Sequence, residues 1–324
     1  MQGGRTLAAF DVVTCGEAMV LFSPDTQGPL RHVSLFRKYA AGAELNLSVA
    51  LARLGLRAAF LTRLGDDEFG HHILSCMRAE GLDTSLVRLD PTRSTAVYFK
   101  EYRPLGDTCV YYYRRGSAAS ALGPEDLDPS WLEGARLVHL TGITPALSDS
   151  CRLLCLRMLE AACEMGVPVS FDPNVRLKLV PREEVPHLME PFMRQCRLLL
   201  LNEAELDLLF GTADPDVAAP RAFEWGVEVL AVKRGARGGV ALTSRGEVVS
   251  QEGFRPARLV DPVGAGDGFD AGFVYGYLMG WPLERCLTLA NLVGASATAV
   301  PGDYEGYPFR HEVDAYLGPP AAGC

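Results

Sequence analysis

No Cys-x-x-Cys pair occurs among the nine cysteines (Cys15, Cys76, Cys109, Cys151, Cys155, Cys163, Cys196, Cys286 and Cys324), so neither a zinc ribbon nor a dithiol redox centre is indicated. Cys151, Cys155 and Cys163 fall on an amphipathic pattern and read as small buried hydrophobes. This usage suits a reducing cytoplasm. Runs of Lys and Arg are also missing, and 40 acidic residues against 31 basic ones give a formal net charge of −9. That argues against nucleic acid as the main partner. It leaves room for an anionic small substrate, because a few arginines overrule net charge inside a cleft. No uncharged apolar run approaches the ~20 residues of a membrane helix. The stretch from Met1 to Phe10 is too poor in apolar residues for a signal peptide. A soluble cytoplasmic protein without a membrane partner is expected. Two nucleotide-binding signatures are absent as well: the Walker loop G-x-x-x-x-G-K-[ST], and G-x-G-x-x-G after an early strand.

The 324 residues, 48% hydrophobic and 22% charged, suit one large α/β domain with a small appendage. Asp11–Thr14 and Met19–Phe22 read as strands, 45–54 as a helix stopped by Gly55, Ala58–Leu64 as a strand, and 69–80 as a helix ended by Gly81. This alternation predicts a doubly wound parallel sheet. It breaks between Ser94 and Gly116, where two tyrosine-rich runs flank Pro104, Leu105, Gly106 and Asp107. That is a hairpin signal and predicts a separate small β element, with Met19–Phe22 as a candidate partner strand. The alternation then resumes, with strands at 136–140, 167–171, 198–201 and 229–232 and helices at 149–165 and 203–210. A hairpin at 239–251 and two late helices, 267–279 and 283–299, complete the pattern. No repeat or low-complexity linker interrupts it, and Gly318–Cys324 is expected to fray.

Three segments carry chemistry. In DPVGAGDGFDAGF, Asp261 to Phe273, the small residues Gly264, Ala265 and Gly266 bare the backbone at a helix start. Amide N–H groups there can face an anion, with the helix dipole in support. A capped helix after a glycine turn explains the same residues equally well. In AGAELN, Gly42 permits close backbone approach and Asn46 offers an amide suited to sugar hydroxyls. Taken alone, this segment is explained more simply as a helix start. In NEAE, Asn202 and Glu205 sit where open sheets bind ligands, or form a capped acidic first turn.

In order and context, these segments resemble the ribokinase-like (PfkB) carbohydrate kinases, over roughly Asp11 to Phe309. The resemblance implies a three-layer, doubly wound, mostly parallel sheet with a small β-sheet lid. It implies a single kinase domain over 1–324, with the lid formed by about 18–41 and 94–116. Asp267 is implied as the base that takes the proton of the attacking hydroxyl, and the amides of Gly264, Ala265 and Gly266 as the anion hole. ATP and Mg²⁺ are the implied cofactors, with Asn202 and Glu205 placing the metal indirectly. A monovalent cation is a further candidate, although Pro262 and Val263 depart from the family pattern at that loop. Nucleotide contacts are implied for Asn174, Arg176, Lys233, Gly235, Gly238 and Asn291. Lys233–Gly238 also reads as a basic surface turn.

Within the family, GAELN, YYYRRGSAAS, TGITPALS, DPNVRLKL and GDYEG look like 2-keto-3-deoxygluconate kinases. The resemblance places Gly42, Ala43, Glu44, Asn46, Tyr98, Tyr112, Arg114, Arg176, Asp267 and Asp303 around the substrate. A sugar acid carries a carboxylate, which a planar arginine recognises well. Arg114 and Arg176 are the candidates; a solvated Arg114 and tyrosines packed on a sheet face are the plain alternatives. Arg176 could instead meet ATP phosphates. The expected reaction is transfer of the ATP γ-phosphoryl group to the 6-hydroxyl of 2-keto-3-deoxygluconate. Fructose, ribose, the galactonate epimer and 5-keto-2-deoxygluconate are alternative substrates. A sugar-sensing protein on the same scaffold is a rival reading, opposed by the retained Asp267 and its glycine loop. A Rossmann oxidoreductase is another, opposed by the missing fingerprint. A homo-oligomer formed through the lid is expected.

Overall fold

The structure is a computed structural model that describes residues 10–103 and 108–318. The expected hairpin turn Pro104–Asp107 and most of the expected C-terminal frayed stretch lie outside the described residues.

Buried apolar strands build one nine-stranded sheet in the order β13-β12-β11-β10-β9-β8-β1-β4-β5. Its members are β1 (Val12–Cys15), β4 (Ala58–Gly65), β5 (Val87–Asp90), β8 (Leu137–Thr141), β9 (Val169–Asp172), β10 (Leu198–Asn202), β11 (Val229–Lys233), β12 (Gly239–Thr243) and β13 (Val248–Gln251). Neighbours run parallel except β11–β12 and β12–β13. The parallel strands are apolar on both faces because helices cover both. Val12 faces one hydrophobic cluster with α1 (Ala43–Arg53), α2 (Glu68–Ala79), α7 (Ala265–Leu278) and α8 (Leu283–Ala297). Val13 and Cys15 face the other, with α3 (Asp149–Glu164), α4 (Val185–Met193), α5 (Glu203–Phe210) and α6 (Pro215–Glu224). A last helix, α9 (Arg310–Leu317), packs Val313 on the first cluster.

A separate four-stranded sheet has the order β3-β2-β6-β7, from β2 (Met19–Pro24), β3 (Phe36–Ala41), β6 (Ala96–Glu101) and β7 (Cys109–Tyr113). The two tyrosine-rich runs pair antiparallel, and β6 pairs β2 in parallel, as the sequence pattern suggested. Alternation divides this sheet into two faces. Met19, Leu21, Tyr98 and Tyr112 point one way, toward the large domain. Phe22, Phe36, Phe99 and Tyr113 point the other way and form an aromatic cluster, with Phe22 and Phe99 stacked at 4.9 Å.

One cysteine expectation needs correction. Cys151 and Cys155 are fully buried, but Cys163 is exposed. Twelve residues after Cys151, at about 100° per residue, it has turned about 120° away from the buried stripe of α3.

Candidate active site

The carboxyl ends of β1, β8, β9, β10 and β11 all open on one side of the large sheet, where open α/β sheets place ligands. The small sheet stands over that side. Between them lies a cavity of about 510 Å³.

Local conformation sets its floor. Gly264 adopts φ +88°, and a Cβ there would lie 2.0 Å from the Asp303 carbonyl oxygen. Only glycine lets the chain pass so close and then enter α7, where the Ala265 amide donates to the Pro262 carbonyl at 3.3 Å and the Gly266 and Asp267 amides are left without a partner among the described residues. A Cβ on Gly266 would meet nothing nearer than Lys233 Nζ at 3.8 Å, so the space over this turn is open. The Tyr307 hydroxyl donates to the Gly264 carbonyl at 2.5 Å and pins the turn from behind. Gly264→Ala should therefore destabilise the fold by about 1–3 kcal/mol, from overpacking and the left-handed backbone. Thermal unfolding checks this, and a wild-type melting temperature would refute it.

Asp267, in the first turn of α7, faces the cavity. Asn46 Nδ2 donates to its Oδ2 at 2.7 Å and Asn174 Nδ2 to its Oδ1 at 3.3 Å. Asn174 holds φ +40°, the left-handed region that asparagine tolerates, which aims its side chain at Asp267. Burial pushes the Asp267 carboxyl up to about 7, against the lowering pull of Asn46 and Arg176. The carboxylates Asp172 and Asp303 add to the rise. A carboxyl poised near neutrality can exchange a proton with a bound hydroxyl.

Below the small sheet, Tyr98 donates to Asp303 Oδ2 at 2.8 Å. Arg114, 8% exposed, lies 2.6 Å from Glu17 Oε2 and stacks 5.1 Å from the Tyr112 ring centre. Nη2 is therefore paired with Glu17, while Arg114 Nε has no acceptor among the described residues. Burial raises the Glu17 carboxyl, while Arg114 and the Ser117 hydroxyl at 2.7 Å pull it down. Glu44 accepts from the Thr141 and Thr144 hydroxyls at 2.7 and 2.6 Å, and burial raises it too. Gly42, at φ +146°, caps α1 against the Glu17 carbonyl, 2.3 Å from where a Cβ would stand. Arg176 is exposed at the rim.

On the opposite side, Lys233 Nζ bridges Asp172 and Asp270 at 2.8 Å each. Burial works against Asp172, but Lys233 holds its carboxyl below the usual range; burial raises Asp270. Glu205 accepts from the amides of Val175 and Asn202 at 2.8 and 2.9 Å, and Asn202 Oδ1 accepts from the Glu205 amide, a capping box.

The cavity thus gathers the sequence-expected residues of all three segments, the arginines and Tyr98, Tyr112 and Asp303. Three stand apart. Asn291 donates to the Gln251 and Glu252 carbonyls, Gly238 lies against the same strand end, and Ala265 is not at the cavity surface. Glu17, Asp172 and Ile143 also line the cavity and were not expected from sequence. Asp172 leads the DPNV segment, and a lone Asp at a strand end was the available signal.

A profile of the pfkB family carbohydrate kinases matches residues 9–310. The chain belongs to this family. Two curated relatives, from Thermoproteus tenax and Bacillus subtilis, are each 35% identical; both are named 2-dehydro-3-deoxygluconokinase. The first alignment covers 96% of this chain and 95% of the relative, the second 95% of each. A protein from E. coli, described as a ribokinase II and solved with ATP and Mg²⁺, superposes with a TM-score of 0.88 at 25% identity. That match covers 95% of this chain and 99% of the other. As a PfkB kinase, the chain has an ATP-binding kinase fold and takes a sugar as phosphoryl acceptor. Among the described residues no helix is long and apolar enough to cross a membrane.

Proposed function

We propose that this PfkB kinase phosphorylates 2-keto-3-deoxygluconate (2-dehydro-3-deoxygluconate) at its 6-hydroxyl, with ATP as donor. One observation carries the reading: Arg114 is a buried cation on the sugar side of the cavity, held by Glu17 at Nη2 and with no acceptor at Nε among the described residues. A carboxylate of the substrate would satisfy the Nε edge that Glu17 leaves open, and the names of the two 35% identical relatives point to the same sugar acid.

In this reading the sugar lies between Arg114 and Asp267. Asn46 and Asn174 hold the Asp267 carboxylate, which takes the proton of the attacking hydroxyl. The amides of Gly264 and Gly266 receive the charge of the transferring phosphoryl group; the Ala265 amide is already bonded to Pro262. Among the described residues no cluster of three His, Cys, Asp or Glu could cage a metal. That suits Mg²⁺, which binds through one or two carboxylates, waters and substrate phosphates. Glu205 and Asn202 would hold it through water, and the ion would neutralise phosphate charge. The small sheet acts as a lid that keeps water from the phosphoryl group. Its outer aromatic face, with Tyr113 67% exposed, is the surface for self-association; a purely monomeric sedimentation profile would refute that.

The test is ATP-dependent ADP release with 2-keto-3-deoxygluconate, its galactonate epimer, 5-keto-2-deoxygluconate, fructose and ribose. Selective turnover of the first is expected. Preference for a neutral sugar would overturn the role given to Arg114.

A further inference from the structure

Lys100 comes from β6 of the small sheet, yet its side chain is completely buried beneath the large domain's phosphate-binding turn. Its ammonium meets Asp261 Oδ2 at 2.5 Å, Asp303 Oδ1 at 2.7 Å and the Gly302 carbonyl at 3.2 Å. Those oxygens belong to the two segments that form the turn. Asp261 leads into Gly264, and the Asp303 backbone packs against it.

The charges explain why a cation is needed there. Two buried carboxylates behind a turn whose amides must receive a phosphoryl anion would repel that anion and each other. A diffusible monovalent metal ion could neutralise them, but the residues present do not fit one. Asp261 Oδ1 accepts from the Val263 amide at 3.1 Å, and Oδ2 accepts from both Lys100 and the Tyr102 hydroxyl, the latter at 3.1 Å. The space between Asp261, Asp303 and Gly302 already holds a positive charge surrounded by oxygens.

We propose that the Lys100 ammonium is a tethered monovalent cation for the phosphate-binding turn, so that this kinase needs no potassium or other monovalent metal ion there. Lys100 is a positioning residue, not a catalytic one. It balances Asp261 and Asp303, and through Asp303 it fixes the oxygen to which Tyr98 and Asn46 donate. Because the ammonium is carried by the small sheet and its partners by the large domain, the turn is charge-balanced only while the small sheet is seated.

The proposal rests on the phosphoryl-transfer reading, so two readouts are used. One is turnover of the sugar accepted in the panel above; the other is ATP affinity by calorimetry, which needs no turnover. Wild-type enzyme is compared in potassium chloride and tetramethylammonium chloride at equal ionic strength. Equal activity and equal ATP affinity are expected, and a clear activation by potassium would overturn the proposal. Lys100→Ala in tetramethylammonium should lose about 10²-fold in kcat/KM for ATP. Potassium or propylammonium should restore about tenfold of that, by filling the vacated position. A loss that no cation repairs would mark Lys100 as a structural strut and overturn the proposal. If Lys100→Ala does not fold, Lys100→Gln, which keeps most of the stem and leaves no room for an added cation, is read by ATP affinity alone; an affinity equal to that of the wild type would overturn the proposal. A protein inactive on every sugar but binding ATP equally in both salts would count against the substrate reading and leave the Lys100 proposal supported.

Discussion

Asp267→Asn should lower kcat by about 10³-fold while leaving the KM for sugar within a few-fold. Asparagine keeps the size of the side chain; its one oxygen accepts from Asn46 or Asn174, and the other partner's amide must turn over to accept from the new NH2. Asparagine cannot take a proton. The binding surface therefore survives and the proton transfer does not. Steady-state kinetics with saturating ATP separate the two constants. A variant that lost affinity and kept kcat would show Asp267 to be a binding group instead. The same carboxyl predicts the pH profile. Its ordinary value is 3.8, and burial first, then the neighbouring carboxylates, push it to about 7. The group must be ionised to act as a base. Below about pH 7 the protonated form dominates in the free enzyme, so kcat/KM should fall by about tenfold per pH unit. Above that value it should level off. A flat profile between pH 5 and 8, roughly the span over which such a base would titrate, would remove Asp267 from the role.

The second large effect concerns Arg114. Removing it alone would leave Glu17 buried without its cation, at a cost of about 3–5 kcal/mol in stability. The informative variant is the pair Arg114→Met with Glu17→Gln, which removes both charges and keeps the volume. KM for 2-keto-3-deoxygluconate should rise by about 10²-fold, the worth of two charge-assisted hydrogen bonds to a carboxylate. A neutral sugar accepted even weakly by the wild type should show no comparable loss. Equal losses on acid and neutral sugars would mean that Arg114 shapes the cavity and does not read charge. Thermal unfolding of the pair variant is the control, and its melting temperature should stay near that of the wild type.

Much of this site was legible because its motifs encode backbone conformation. Gly264–Asp267, Gly42–Asn46 and Asn202–Glu205 are each a glycine turn or a capped helix start, and such features are written in consecutive residues. The tyrosine-rich hairpin announced the second sheet because its period-two pattern broke an alternation of strands and helices. The elements that escaped notice lack such signals. α4 and α6 carry Pro191 and Pro220 within them, so their helical pattern is interrupted on paper though not in space. β3, FRKYAA, has charged residues near its middle, because only its C-terminal end, Ala40 and Ala41, is buried. Cys163 looked buried because its neighbours on α3 are, and a rotation of about 120° decides otherwise.

By itself, then, the sequence determined the layered α/β grammar, the bare turn before Asp267 and the kinase family. Each of these depends on local periodicity or on residues next to one another. Only the tertiary structure decided which charges meet. Lys100 reaches Asp261 across 161 positions of chain, Lys233 reaches Asp172 across 61, and Arg114 lies against Glu17 in the same cavity wall. A buried ion pair has no period and no fixed spacing. Its partners are selected by the packing of two sheets, and the low-dielectric interior then makes that selection matter for the proton on Asp267 and the charge behind the Gly264 turn.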